Sequence, residues 1–133
     1  MPIIKAKSLD NFDAARLLID NQIYSPSVHC SYYAVYMFSM HVLCHKCNIS
    51  YENQEKESKG RDSHFYVIDN VAKDLDKKNH TYMLDFFCWY NKLKKLRKQS
   101  DYLNQIIKNN EANKAYKLAD DIIQLLTNKY DII

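Results

Sequence analysis

The stretch Ser25-Pro26-Ser27-Val28-His29-Cys30-Ser31-Tyr32-Tyr33-Ala34-Val35-Tyr36-Met37-Phe38-Ser39-Met40 decides the fold class. Ser25 offers a side-chain oxygen to cap a helix, and Pro26 follows at the first helical position, where a missing N–H costs nothing. From there Val28, Tyr32, Tyr36 and Met40 recur at intervals of four, and Leu43 extends the stripe. Tyr33, Met37 and Cys44 fill the adjoining one. A helix apolar on two neighbouring faces must be covered on both. The spacing therefore predicts a helix over 26–47 at the centre of a helical bundle.

Outward from this segment the pattern stays helical. Leu9, Phe12, Ala15 and Ile19 form an apolar stripe over 9–22, with Ser8 as the expected cap. Phe65, Ile68, Val71, Ala72 and Leu75 do the same over 64–78. Met83, Phe86, Phe87, Tyr90, Leu93 and Leu96 give the inner face of a helix over 82–99, capped by Thr81, which continues or restarts around Ser100-Asp101-Tyr102. Ala112, Ala115, Tyr116, Ala119, Ile122, Ile123 and Leu126 predict a last helix over 111–128 in close contact with its neighbours. Residues 48–62 are polar and charged and read as a surface loop. The expected architecture is all-α, an up-and-down bundle of four to five helices forming one domain over residues 1–133.

Composition agrees. A chain of 133 residues, 47% apolar and 26% charged, is long enough to bury a core without disulfides or metals. One Gly and two Pro are too few for the turns of a sheet protein. No run of eighteen uncharged apolar residues suggests a membrane span. The start Met1-Pro2-Ile3-Ile4-Lys5-Ala6-Lys7 lacks the apolar core of a secretory signal. A cytoplasmic protein with reduced thiols and no membrane partner is expected. The net charge of +3 is too small to announce nucleic-acid binding. The excess nevertheless lies wholly in residues 67–133, which hold twelve basic and nine acidic side chains against seven of each before them.

His41, Cys44, His45 and Cys47 invite a metal reading. Structural zinc wants four ligands, commonly as two separated pairs, and a second pair is missing. Buried thiols acting as small hydrophobes are the simpler account. No Gly-rich phosphate loop and no HExxH or GxSxG motif is present. No metal and no cofactor is expected.

Three segments in order carry a family resemblance. They are Ser31-Tyr32-Tyr33-Ala34-Val35-Tyr36, then His64-Phe65-Tyr66-Val67-Ile68 after a polar loop, then Leu93-x-x-x-Arg97-x-x-x-Asp101-Tyr102, followed by an Ala-containing terminal helix. Together, over residues 9 to 128, they resemble the HEPN family of helical domains. The resemblance implies a homodimeric or pairing-prone bundle tied to nucleotides or RNA. It also implies a small nucleotidyltransferase as partner in a toxin–antitoxin or defence pair. Some members of the family are metal-independent ribonucleases, which carry an Arg followed by a His some five to seven positions on. Here no His follows Arg97, Arg61 precedes His64 by only three positions, and Arg16 meets no His before His29. No catalytic residue is therefore assigned. Ribonuclease chemistry with an altered motif stays as the alternative, and a helical protein-interaction adaptor as the second.

The candidate phosphate-binding set is Arg97, Asp101, Tyr102 and Tyr33 with Lys94, Lys95 and Lys98. A guanidinium offers phosphate two parallel donors in a fixed fork. The run Lys92, Lys94, Lys95, Arg97, Lys98 holds five positive charges and no negative one. The simpler reading is an i, i+4 ion pair of Arg97 with Asp101 on a solvated helix end. The tyrosines would then serve as packing.

Overall fold

A computed structural model describes residues 2–133; Met1, part of the N-terminal stretch read above, lies outside them. Among the described residues the chain is an all-α bundle of six helices: α1 (Ile3–Asp20), α2 (Tyr24–Lys46), α3 (Tyr51–Ser58), α4 (Ser63–Lys78), α5 (His80–Tyr102) and α6 (Asn109–Lys129). Five correspond to the expected segments, although α1 begins six residues before the expected 9–22, and none is long and apolar enough to cross a membrane.

Helix α2 is the centre, packed against each of the other five. Its Val28, Tyr32, Ala34, Val35, Phe38, Val42 and Leu43 are all buried. Burying one such large apolar side chain contributes about 2 kcal/mol, and α2 holds the densest set in the chain. Pro26 is the third residue of α2 rather than the first. The first-turn N–H groups lack helical partners in any case, so proline is still tolerated there. Ser25 does not cap; the helix begins after Ile23 without a side-chain cap. On α6, Ala112, Ala115 and Ala119 are fully buried, and the absence of bulk lets the helix lie close to α2 and α5.

The polar stretch 48–62 is not all loop. Ser50 caps α3 by accepting from the Asn53 N–H at 3.2 Å. Gln54, on its inner side, donates to the carbonyls of Met40 and Ile49. A short helix held mainly by side-chain hydrogen bonds leaves little apolar periodicity to read. Gly60, at φ 77, makes the left-handed turn into α4. This connection carries the chain back along α2, so that α4 runs in the same direction as α2. His64 in its first turn reaches Tyr32, and Asp74 three turns later meets Cys47 at the far end of α2.

Two further expected caps are corrected. Ser8 lies inside α1, buried, and donates to the Ala34 carbonyl at 2.6 Å, tying α1 to α2. Thr81 is already helical; Asn79 caps α5 by accepting from the Thr81 N–H at 2.8 Å. Asp62 caps α4 through the N–H groups of His64 and Phe65 at 3.0 and 3.2 Å, which fixes the direction in which His64 enters the bundle.

Candidate functional site

Three helix ends meet at one end of the bundle: the start of α2, the start of α4 and the end of α5. Positions 90, 94, 97 and 101 of α5 share a face, since residues three and four apart stack on a helix. That face turns toward α2. Arg97 lies on it with its side chain 13% exposed. Its Nε donates to Asp101 Oδ2 at 3.1 Å. One terminal nitrogen, Nη2, donates to the hydroxyls of Tyr33 and Tyr102 at 3.3 and 3.1 Å. The guanidinium carbon stands 4.7 Å from the centre of the Tyr32 ring, 5.6 Å from that of Tyr33 and 5.3 Å from that of Tyr102. Three electron-rich ring faces and a carboxylate thus surround one cation. Burial works against the charge of Arg97, but the Asp101 hydrogen bond and the three tyrosines outweigh it and raise its pKa. The other terminal nitrogen, Nη1, hydrogen-bonds to no described residue.

Asp101 is shared. His29 on α2 approaches the same oxygen, its Nδ1 2.9 Å from Asp101 Oδ2, and Ser100 Oγ donates to Oδ1 at 3.2 Å. Burial alone would raise the Asp101 pKa. The bonds and charge of His29, with the bonds from Arg97 and Ser100, reverse this and hold it below the usual carboxylate value. With an ionised carboxylate as acceptor, His29 Nδ1 is the donor and its Nε2 is left free. The His29 side chain is 48% exposed. A groove of about 360 Å³ opens beside it, lined by Ser25, Pro26, His29, Cys30, Ser100 and Asp101.

Beneath the arginine runs a second polar chain. The Tyr32 hydroxyl lies 2.8 Å from His64 Nδ1 and 2.8 Å from the Tyr90 hydroxyl. Burial and the positive charges of Arg97 and Lys94 lower the His64 pKa, against the opposing pull of Asp62. His64 is therefore neutral near pH 7. The Tyr32 hydroxyl has one proton to give, so it donates to one of these two neighbours and accepts from the other. His64 is also stacked on Tyr36, ring centres 4.1 Å apart. This network holds the Tyr32 ring flat beneath Arg97.

Of the seven candidate residues, the structure brings Arg97, Asp101, Tyr102 and Tyr33 into direct contact. Lys94 shares their face and lies close enough to His64 to act on its charge state. Lys95 is turned about 200° round the helix from Arg97 by the helical repeat and is exposed, so it does not face the cluster. Lys98 is exposed at its edge. His29, Tyr32, His64 and Tyr90 were not among the candidates, yet they complete the site. The one available signal for His29 was its i, i+4 spacing with Tyr33, which places both on one face of α2. Comparison with known proteins adds no relative: no family model matches the chain, and neither a curated protein nor a solved structure does.

Proposed function

We propose that this chain is a HEPN-like domain that binds the phosphate of RNA or of a nucleotide at Arg97, without efficient cleavage. The observation that supports this reading best is the state of the guanidinium. Asp101 and two tyrosine hydroxyls fix it at Nε and Nη2, and Nη1 is left for a ligand. An adaptor needs no cation held in this way. Lys94 and Lys98 add charge for a neighbouring phosphate, which makes the interaction salt-dependent.

The test is titration of labelled RNA and of ATP with the wild type and Arg97→Ala, both shown to be folded. Loss of a charge-assisted contact should weaken binding about tenfold or more. Binding should also weaken as salt is raised. If neither ligand binds, or Arg97→Ala leaves affinity unchanged, the helical adaptor replaces this reading.

A second reading, a metal-independent ribonuclease, is favoured by the place of His29. The family's sequence spacing is absent, but an imidazole oriented by Asp101 stands beside the arginine from another helix. A base there could take the proton of a 2′-hydroxyl while the cation holds the phosphate. Rapid cleavage of RNA in the presence of a chelator, lost in both Arg97→Ala and His29→Ala, would establish it.

The homodimer rests on apolar side chains beside the site. Tyr102 is 69% exposed, Leu103 52% and Ile106 84%, at the end of α5 and in the segment after it. The nucleotidyltransferase partner rests on the family resemblance alone.

A further inference from the structure

Arg97 and His29 are neighbours held by the same two residues. Asp101 Oδ2 accepts from Arg97 Nε at 3.1 Å and from His29 Nδ1 at 2.9 Å. The Tyr33 hydroxyl accepts from Arg97 Nη2, and its ring packs on the His29 ring with centres 4.6 Å apart. The imidazole is thus fixed at one nitrogen and on one face, while its side chain stays half-exposed on the groove of about 360 Å³. His29 Nε2, like Arg97 Nη1, hydrogen-bonds to no described residue. An imidazole held this way has one atom whose role depends on charge. In the neutral ring the proton sits on Nδ1, toward Asp101, and Nε2 presents a lone pair that repels the oxygen of an anion. In the protonated ring Nε2 carries an N–H and donates. The charge balance changes with it. Arg97 and Asp101 offset each other, so with neutral His29 the three groups sum to zero, and with His29 protonated they carry one positive charge.

We propose that His29 is a second phosphate ligand beside Arg97, engaged in its protonated form, so that the site holds RNA more tightly as pH falls through the histidine range. The inference deepens the phosphate-binding reading and rests on it for the identity of the ligand. It gives His29 the opposite state from the ribonuclease reading, in which a neutral ring takes up a proton. Here the ring is protonated when the phosphate arrives and keeps its proton. The groups that face His29 are Cys30 and Tyr33 on its own helix and Arg97, Ser100 and Asp101 on α5. Burial pushes the Cys30 thiol up. Asp101 and Arg97 are each held in the charged form by their hydrogen bonds. These three keep their charge between pH 5.5 and 8, the window in which a histidine changes its own. The imidazole is therefore the group on this wall that switches.

The experiment measures binding of a labelled oligouridine RNA at pH 5.5 and pH 8, at one ionic strength. The proteins are wild type, His29→Gln and His29→Lys, each shown to be folded at both values. Neither the phosphodiesters nor the uracil bases of this probe titrate in that window, so a change with pH belongs to the protein. Wild type should bind about tenfold more tightly at pH 5.5 than at pH 8. His29→Gln should hold one weak affinity at both values. His29→Lys, charged at both, should hold one strong affinity. His64, the other imidazole beneath Arg97, is present in all three chains and cancels in the comparison. Because linkage is reciprocal, the His29 ring followed by NMR should titrate about one pH unit higher with RNA bound. The same pH dependence in His29→Gln as in wild type, or none in wild type, overturns the inference and leaves the phosphate reading standing. No RNA binding by wild type at either pH overturns both.

Discussion

Helix α2 carries two clusters of histidine and tyrosine, and they solve the same physical problem differently. Near its start, Tyr32, Tyr90 and His64 form a chain in which each hydroxyl and His64 Nδ1 has a partner. Near its end, the rings of His41 and His45 pack with centres 4.4 Å apart, and Tyr51 stands edge-on to His45. There His41 Nδ1 is buried with no partner among the described residues, and the buried Tyr51 hydroxyl has at most the Cys44 thiol, a weak one. Ring packing is similar in the two clusters, but polar satisfaction is not. The difference teaches that the first cluster is a scaffold which fixes a ring under a cation. The second carries a desolvation cost at His41 that no described partner offsets, and it shows up in the titration of that ring.

The largest expected break in this comparison is by pH. Burial, with the charges of His45, Lys5 and Lys46, lowers the His41 pKa from 6.5 to about 4. A histidine whose folded value is depressed is neutral in the fold while the unfolded chain takes up a proton first. Its stabilisation is therefore present above pH 6.5 and is lost as pH falls from 6.5 toward 4. The loss is up to about 3 kcal/mol for a shift of this size. His41→Leu should flatten this part of the stability profile. Urea unfolding of both chains at pH 7 and pH 4.5 measures it, and parallel losses in the two would remove His41 as the cause. The lowered pKa of His64 acts with the same sign, but it is present in both chains and cancels in the difference.

A smaller effect distinguishes the clusters by their hydroxyls. Tyr32→Phe strips one partner from His64 and another from Tyr90 at once, and should cost about 1–3 kcal/mol. Tyr51→Phe removes a buried hydroxyl with at most a thiol partner, Cys44, and should be neutral or stabilising by roughly 0.5 kcal/mol. Thermal unfolding of the two variants side by side is the measurement. If Tyr51→Phe costs as much as Tyr32→Phe, the second cluster is as well paired as the first.

The sequence carried these two regions unequally. The helices and their centre were legible because large apolar side chains at intervals of three and four leave one stable arrangement. Arg97, Asp101, Tyr102 and Tyr33 were legible because charge and aromatic character stood out against a helical face. His29 and His64 were not placed beside them, because His29 meets Asp101 across 72 residues of sequence. Spacing along the chain says nothing of a contact between helix ends. Helix α3 was hidden for a different reason. Its stability lies in Ser50, Gln54 and Ser58 hydrogen bonds, which read locally as loop chemistry.

The smallest effect concerns the carboxylate that ties His29 and Arg97 together. Asp101→Asn keeps the shape of the side chain and one acceptor but removes the charge. Arg97 retains its bonds to Tyr33 and Tyr102 and its place over the Tyr32 ring, so the cation should stay where it is. The His29 side of the cluster is half open to solvent, and the amide keeps an acceptor for Arg97, so losing the charge should cost about 1 kcal/mol. The sign with pH separates charge from shape. Asp101 has a folded pKa below its usual 3.8, because His29, Arg97 and Ser100 outweigh its burial. Its stabilisation is therefore present above pH 3.8 and is lost as pH falls through the lower folded value. Wild type should exceed Asp101→Asn by about 1 kcal/mol at pH 7, and the gap should close once the carboxylate is protonated in both states. Denaturant unfolding at pH 7 and pH 2.5 would show this. A gap that is the same at both values would mean that hydrogen-bond geometry, and not charge, holds the end of α5 to the start of α2.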